Sequence, residues 1–201
     1  MPFYIENGHK VAVIEGDCTT TKDADRIAAV GVEVLQINTG NACHLDANLV
    51  YKALLVSDYA KFDYIFVENV GNLVCPAEFE IGENSKIAVI STTEGDEKPL
   101  KYPLLFHEAD LVILTKTDLL SDKDLEIIKK WSDSPGEIYE AIQFEDPSVY
   151  REISESISRL IEDFGGIIHL IPTSHNNFFG IDDIYTNIQL QFGAGEDILK
   201  D

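Results

Sequence analysis

The chain is short of basic residues. Its 15 Lys and Arg stand against 36 Asp and Glu, a formal net charge of −21 over 201 residues. Coating DNA or RNA needs a basic surface, so a nucleic-acid partner is not expected. The same sign argues against docking on anionic lipid. Long hydrophobic runs are missing too, since none approaches the roughly 20 residues of a membrane helix. The start, MPFYIEN, has no basic region followed by an apolar core, so no secretory signal is expected and the localisation is read as cytoplasmic. Cysteine is sparse: Cys18, Cys43 and Cys75. An odd count in such a chain favours free thiols or metal ligands over a disulfide framework. None of the 13 glycines is followed by lysine, so the sequence holds no G-x-x-x-x-G-K-S/T phosphate loop. An acidic chain that must hold an anion then needs backbone amides, a bound cation or a partner's charges.

Hydrophobic residues make up 45% and charged residues 25%, which are globular values. A chain of this length should bury roughly 70% of the surface it exposes when unfolded. Short runs rich in Val and Ile at 11–14, 32–37, 64–67, 87–90, 111–114 and 167–171 read as strands. Helical spacing occupies 22–30, 45–59, 99–107, 122–131, 148–164 and 181–191. In the second of these, Leu45, Leu49, Ala53 and Val56 fall on one face. Strands alternating with helices predict an α/β fold, a mostly parallel sheet flanked by helices. No linker interrupts the chain, so residues 1–201 read as a single domain.

In open parallel sheets, ligands bind beyond the carboxyl ends of the strands. Polar, titratable and metal-capable residues collect at those ends here. Thr115-Lys116-Thr117-Asp118 follows an apolar strand and has the form of a guanine-recognition motif. Its Asp118 carboxylate can accept from two guanine nitrogens that adenine does not offer, and the Lys116 stem can lie along the base. The plain alternative is a solvated strand-to-helix turn. Glu68 ends the third strand, with Gly71 three residues on. The acid can orient magnesium or its water, and the glycine lets a backbone N–H approach a terminal phosphate. Asp17 could polarise a water or a magnesium ligand, or it could simply cap the next helix. Ser174, after the sixth strand, joins the nucleotide-binding candidates. Cys43 and His44 are adjacent, and Cys75 stands in another strand-end loop. Sulfur and imidazole suit zinc or nickel. The alternative is a buried thiol beside a surface imidazole. Three ligands leave a site open, which a two-fold dimer could complete or double. Cys18 reads as structural or incidental.

The stretch from Val11 to about Asp110 carries EGD-x-x-T-x-x-DADRI, QINTG-x-x-CHLDA, ENVGNLVCPAEF and S-x-TEGD-x-KPLKYP. It resembles the hydrogenase nickel-incorporation GTPases, the HypB family of P-loop GTPases. The resemblance implies a metal site at Cys43, His44 and Cys75, at a nucleotide-linked dimer interface. It implies switch residues at Asp17, Asp23 or Asp25, and Glu68 to Gly71, with Asp17 and Glu68 organising hydrolysis of GTP around Mg2+. The implied job is nickel delivery to the large-subunit precursor of a nickel–iron hydrogenase, working with that system's nickel-insertion accessory protein. Residues 111–201 look more like the C-terminal part of a GPN-loop GTPase, through LTKTDLLSDKDLE, DPSVYREISESISRLIEDFG and IPTSHNNFFGIDDIYTNIQLQFGAGED. The Gly-Pro-Asn tripeptide of that family does not occur. Both resemblances imply one G-type domain whose phosphate-loop strand would pair beside the strand carrying Glu68. The expected function is thus a GTP-binding nickel metallochaperone that releases its Ni2+ or Zn2+ on hydrolysis. The alternatives are a non-hydrolysing metal-binding scaffold and a GPN-type assembly GTPase.

Overall fold

The computed structural model describes residues 2–6, 8–17, 21–56, 58–94, 98–133 and 169–196. They fall into two compact units, residues 1–84 and 85–201. The first runs α1 (Pro2–Glu6), β1 (Val11–Asp17), α2 (Lys22–Ala29), β2 (Glu33–Asn38), α3 (Ala47–Val56), β3 (Tyr64–Glu68) and α4 (Cys75–Glu78). The second runs β4 (Ile87–Ser91), α5 (Lys98–Lys101), α6 (Pro103–Glu108), β5 (Leu111–Thr115), α7 (Asp122–Asp133), β6 (His169–Pro172) and α8 (Ile181–Glu196). Each unit holds a three-stranded sheet, β2-β1-β3 and β4-β5-β6, and every pairing is parallel. The expected helix at 148–164 lies outside the described residues. No described helix is long and apolar enough to cross a membrane.

In the first sheet, β1 lies between its neighbours and is buried from Val11 to Gly16. Its two faces differ in kind. Ile14 packs with Leu45, Val50 and Ala53 beneath α3. The opposite face begins apolar, with Val11 beside Tyr64 and Val13 beside Phe66, covered by the Tyr4 ring 5.1 and 5.3 Å from theirs. Two residues further on that face turns acidic, because Glu15 stands in register with Glu68 and Asp17 with Asn38. The strand is therefore three residues longer than its apolar run, and its polar tail carries the chemistry.

Several elements depart from the sequence expectation for local reasons. The segment at 45–59 becomes helical only from Ala47, because the Asp46 carboxylate accepts from the Leu49 N–H at 2.8 Å and caps the first turn. Leu45 stays outside the helix and is completely buried, a placement worth about 1.5–3 kcal/mol. Val56, expected on the buried face, is 77% exposed, and Val50 takes its place. The segment at 99–107 splits in two. Pro103 drives Tyr102 out of the helical region, to φ −130° and ψ 53°. In the second unit Leu111 and Val112 of the central strand β5 are 1% exposed, and Ser121 caps α7 by accepting from the Asp124 N–H.

Candidate functional site

Each unit presents its polar residues at the carboxyl ends of its strands. In the first unit the loop after β2 carries Cys43 and His44, and α4 begins at Cys75. The ligand atoms of these three residues lie within 4.8 Å of one another, the one such His, Cys, Asp or Glu cluster among the described residues. The Cys43 and Cys75 Sγ atoms are 2.7 Å apart, and His44 Nδ1 is 3.6 Å from Cys43 Sγ. Both thiols are free. The Cys43 thiol beside it pushes the Cys75 thiol above its ordinary range.

Packing around Gly16 brings this cluster together. A Cβ there would sit 2.6 Å from the Leu45 side chain, so only glycine lets buried Leu45 seat against the strand, with His44 next to it in the chain. Asn69 ties the two loops, its Oδ1 accepting from the Leu45 N–H at 2.7 Å and the Val70 N–H at 2.9 Å. Asn72 Oδ1 accepts from the Val74 N–H and steadies the entry to Cys75. The His44 imidazole lies flat on Phe79, with ring centroids 4.3 Å apart and 3° between planes.

Asp17 and Glu68 end their strands as expected. Asp17 does not cap the following helix, because α2 begins at Lys22 with Thr21 at its N-cap. Asp23 pairs with Arg26 at 2.8 Å, and Asp25 accepts from the Thr21 hydroxyl at 3.2 Å, so both candidates hold local roles on an exposed first turn. Gly71 is exposed with open space around it. The residue that sequence reasoning passed over is Glu15. It is only 3% exposed, and its Oε2 has no hydrogen-bond partner. Desolvation, then Glu68, Asp17 and Asp23, raise its pKa above 4.5. Glu68 is raised as well, by desolvation first and then by Asp23 and Asp17. A charge between Ile14 and Gly16 in a buried strand was the available signal.

In the second unit Asp118 is held on both oxygens. Ser174 Oγ donates to Oδ1 at 2.9 Å, and Asn176 Nδ2 donates to Oδ2 at 2.5 Å. These bonds and a backbone N–H hold the carboxyl below its ordinary 3.8, with the Ser174 bond the largest contribution. Each oxygen keeps a lone pair for a ligand donor. Thr117 is 1% exposed, and its hydroxyl donates to the Thr173 carbonyl at 2.8 Å, which locks the loop after β5 to the loop after β6. Lys116 adopts a left-handed conformation, φ 60°, and its Nζ lies 3.4 Å from Thr93 Oγ1. Gly180, at φ +75°, closes the 174–180 turn, and a Cβ there would lie 2.2 Å from the Pro172 carbonyl. Asn176 was missed because its polarity reads as ordinary turn chemistry until the fold brings it to Asp118, 58 residues away.

Comparison with known proteins places the fold in a family. The family model described as "CobW/HypB/UreG, nucleotide-binding domain" matches residues 4–141. The hydrogenase maturation factor HypB of Azotobacter vinelandii is 56% identical over 117 residues, covering 58% of this chain and 39% of that protein. The chain thus spans about two fifths of the length of this curated relative. The crystal structure of HypB from Helicobacter pylori in complex with nickel superposes with a TM-score of 0.65 at 31% identity, covering 92% of this chain and 74% of that one. HypB from Archaeoglobus fulgidus gives 0.64 at 26% identity, covering 92% and 77%. By motif, sheet topology and these matches, the chain belongs to the CobW/HypB/UreG nucleotide-binding domain family.

Proposed function

We propose that this chain handles nickel, held by Cys43, His44 and Cys75, and that a guanine nucleotide governs its release toward a hydrogenase precursor. The observation carrying this reading is the two-sulfur, one-nitrogen cluster within 4.8 Å. Its soft thiolate and borderline imidazole donors suit Ni2+ or Zn2+ over Mg2+ or Ca2+. Three ligands leave the coordination sphere open, as a site that must pass its metal on requires. A second copy across a two-fold axis, or the accessory protein that inserts nickel, would meet the open side. The nickel-bound Helicobacter pylori relative supports the choice of metal.

The nucleotide reading rests on Asp118 and Lys116, with Ser174 holding Asp118 from behind. Two neighbouring N–H donors on a purine, as guanine offers, match the two oxygens of one carboxylate. Asp17 and Glu68 would organise hydrolysis. Asp17 and Glu68 would orient Mg2+ or its waters, and the ion would neutralise phosphate charge when bound. Asp23, Asp25 and the open loop at Gly71 would respond to the terminal phosphate, and their rearrangement would loosen the Cys43, His44 and Cys75 cluster. The two units would then act as one G-type domain.

The test is a titration of the full chain with Ni2+ and Zn2+. One equivalent should bind, and Cys43→Ala or Cys75→Ala should abolish it. Unchanged stoichiometry in both variants would falsify the metal reading. A second reading, a metal holder without turnover, draws on the absence of any Gly-Lys pair in the sequence. GTP turnover that Asp118→Ala abolishes decides for the first reading, and no turnover decides for the second.

A further inference from the structure

We propose that Phe79 is a positioning residue for the metal cluster: its ring fixes the plane of the His44 imidazole so that the nitrogen edge faces the two thiols. The inference rests on the metal reading of Cys43, His44 and Cys75 and adds to it a residue that is not itself a ligand. Three observations carry it. The rings are nearly parallel, 3° apart, with centroids at 4.3 Å, a stacked contact. The imidazole so held has Nδ1 3.6 Å from Cys43 Sγ. Phe79 stays 45% exposed, so burial of apolar surface accounts for an aromatic ring at this place only in part.

The chain explains why one ring can do this. Cys75 opens α4, and Phe79 follows its last residue, Glu78, with an extended backbone at φ −116° and ψ 126°. One short helix therefore carries a sulfur ligand at its start and the stacking ring just past its end, so the segment meets the Cys43–His44 loop at two points. The torsion that turns a histidine ring about its Cβ–Cγ bond is broad and poorly restrained by its own chain. Packing a flat ring against one face removes that freedom before metal arrives, and an ordered imidazole spends less entropy on ligation. Stacking also leaves both nitrogens on the ring edge, so either remains available as a donor.

The experiment follows Ni2+ binding to the full chain in two channels, the sulfur-to-nickel charge-transfer absorption for the thiolates and 15N signals of labelled histidine for the imidazole. Phe79→Ala should weaken Ni2+ about three- to tenfold, the range expected for one aromatic stack. It should keep the charge-transfer band and lose the ordered His44 signal. Phe79→Leu, which keeps apolar bulk and folding but cannot stack, should behave like Phe79→Ala. Phe79→Tyr should restore wild-type affinity. In a His44→Ala background, Phe79→Ala should cost nothing more, because a residue acting through His44 has nothing left to orient. The proposal is overturned by unchanged affinity in both Phe79→Ala and Phe79→Leu, or by a loss that adds fully to that of His44→Ala. A wild type with no sulfur-to-nickel band removes the metal reading and the proposal together. A wild-type band beside an unmoved Phe79→Ala titration removes the proposal alone.

Discussion

The loop ends of the two units treat charge in opposite ways. In the second unit, Asp118 receives a hydroxyl on one oxygen and an amide on the other, and its carboxyl lies below the ordinary range. The acceptor is aimed and ionised before any ligand comes. In the first unit, Glu15 and Glu68 stand in register, both are raised, and one oxygen of buried Glu15 meets no donor. In the same unit two thiol sulfurs approach to 2.7 Å. The loop after β5 is completed by hydrogen bonds from its own chain. A cluster of like charges and thiols calls for a cation from outside, and until one binds it costs stability. Preorganisation in the second unit and unmet demand in the first are thus two strategies for the same place in a parallel sheet.

Removing a metal ligand should sharpen this contrast most. Cys75→Ala is expected to lower Ni2+ affinity by more than about a hundredfold, beyond what loss of an outer-shell partner costs, when measured by competition with a chromophoric chelator. In metal-free buffer it should leave guanine-nucleotide affinity unchanged. Next in size, Asp118→Ala should weaken a fluorescent guanine nucleotide by about ten- to a hundredfold, the value of hydrogen bonds to a charged group. Metal stoichiometry should not move, and equal affinity of variant and wild type would break the assignment of the loop.

Glu15→Gln should make the chain more stable in cation-free buffer at neutral pH, by on the order of 1 kcal/mol, because it removes a desolvated charge. The pH dependence follows from the direction of the shifts. Glu15 and Glu68 bind protons more tightly folded than unfolded, so their contribution is fully present below 4.5 and is lost as pH rises through their raised values. Asp118 has the reverse sign, contributing above 3.8 and losing that contribution as pH falls through its lowered value. Urea unfolding across pH reads both, and a Glu15→Gln variant whose profile matches wild type would break the account of the first unit. The smallest effect belongs to Ser174→Ala. It should let the Asp118 carboxyl rise toward its ordinary value, seen by NMR titration, and weaken guanine nucleotide about threefold to tenfold through one lost hydrogen bond.

Much of the fold was legible because its signals are local. Alternating apolar runs and amphipathic stretches located all six described strands, and the misses sit where context rules. β1 continues to Asp17 because its acidic residues still pair in the ladder, although hydropathy had already fallen. Leu45 looked like a helical position and instead fills a pocket that Gly16 opens. Val56 kept the helical spacing and lies at 77% exposure, since α3 had reached its last residue. The candidate site was legible in its residue types, namely the Cys-His pair, Cys75, Glu68 and the Thr-Lys-Thr-Asp loop. Its supporting contacts were not, because Asn69, Phe79, Asn176 and Ser174 act across 24 to 58 residues of sequence.

By itself, the sequence determined the sign of the charge, the alternation of strand and helix, and which chemistries the strand ends could offer. Those follow from composition and from short-range spacing, which no folding step alters. Only the tertiary structure decided which of those groups meet. It set two sulfurs and an imidazole together, laid Phe79 flat on that imidazole, left one oxygen of buried Glu15 without a hydrogen-bond partner and supplied Asp118 with two donors. The physical reason is that parallel pairing sets register between segments far apart in the chain, and side-chain chemistry depends on distances of a few ångströms that spacing along the chain does not encode.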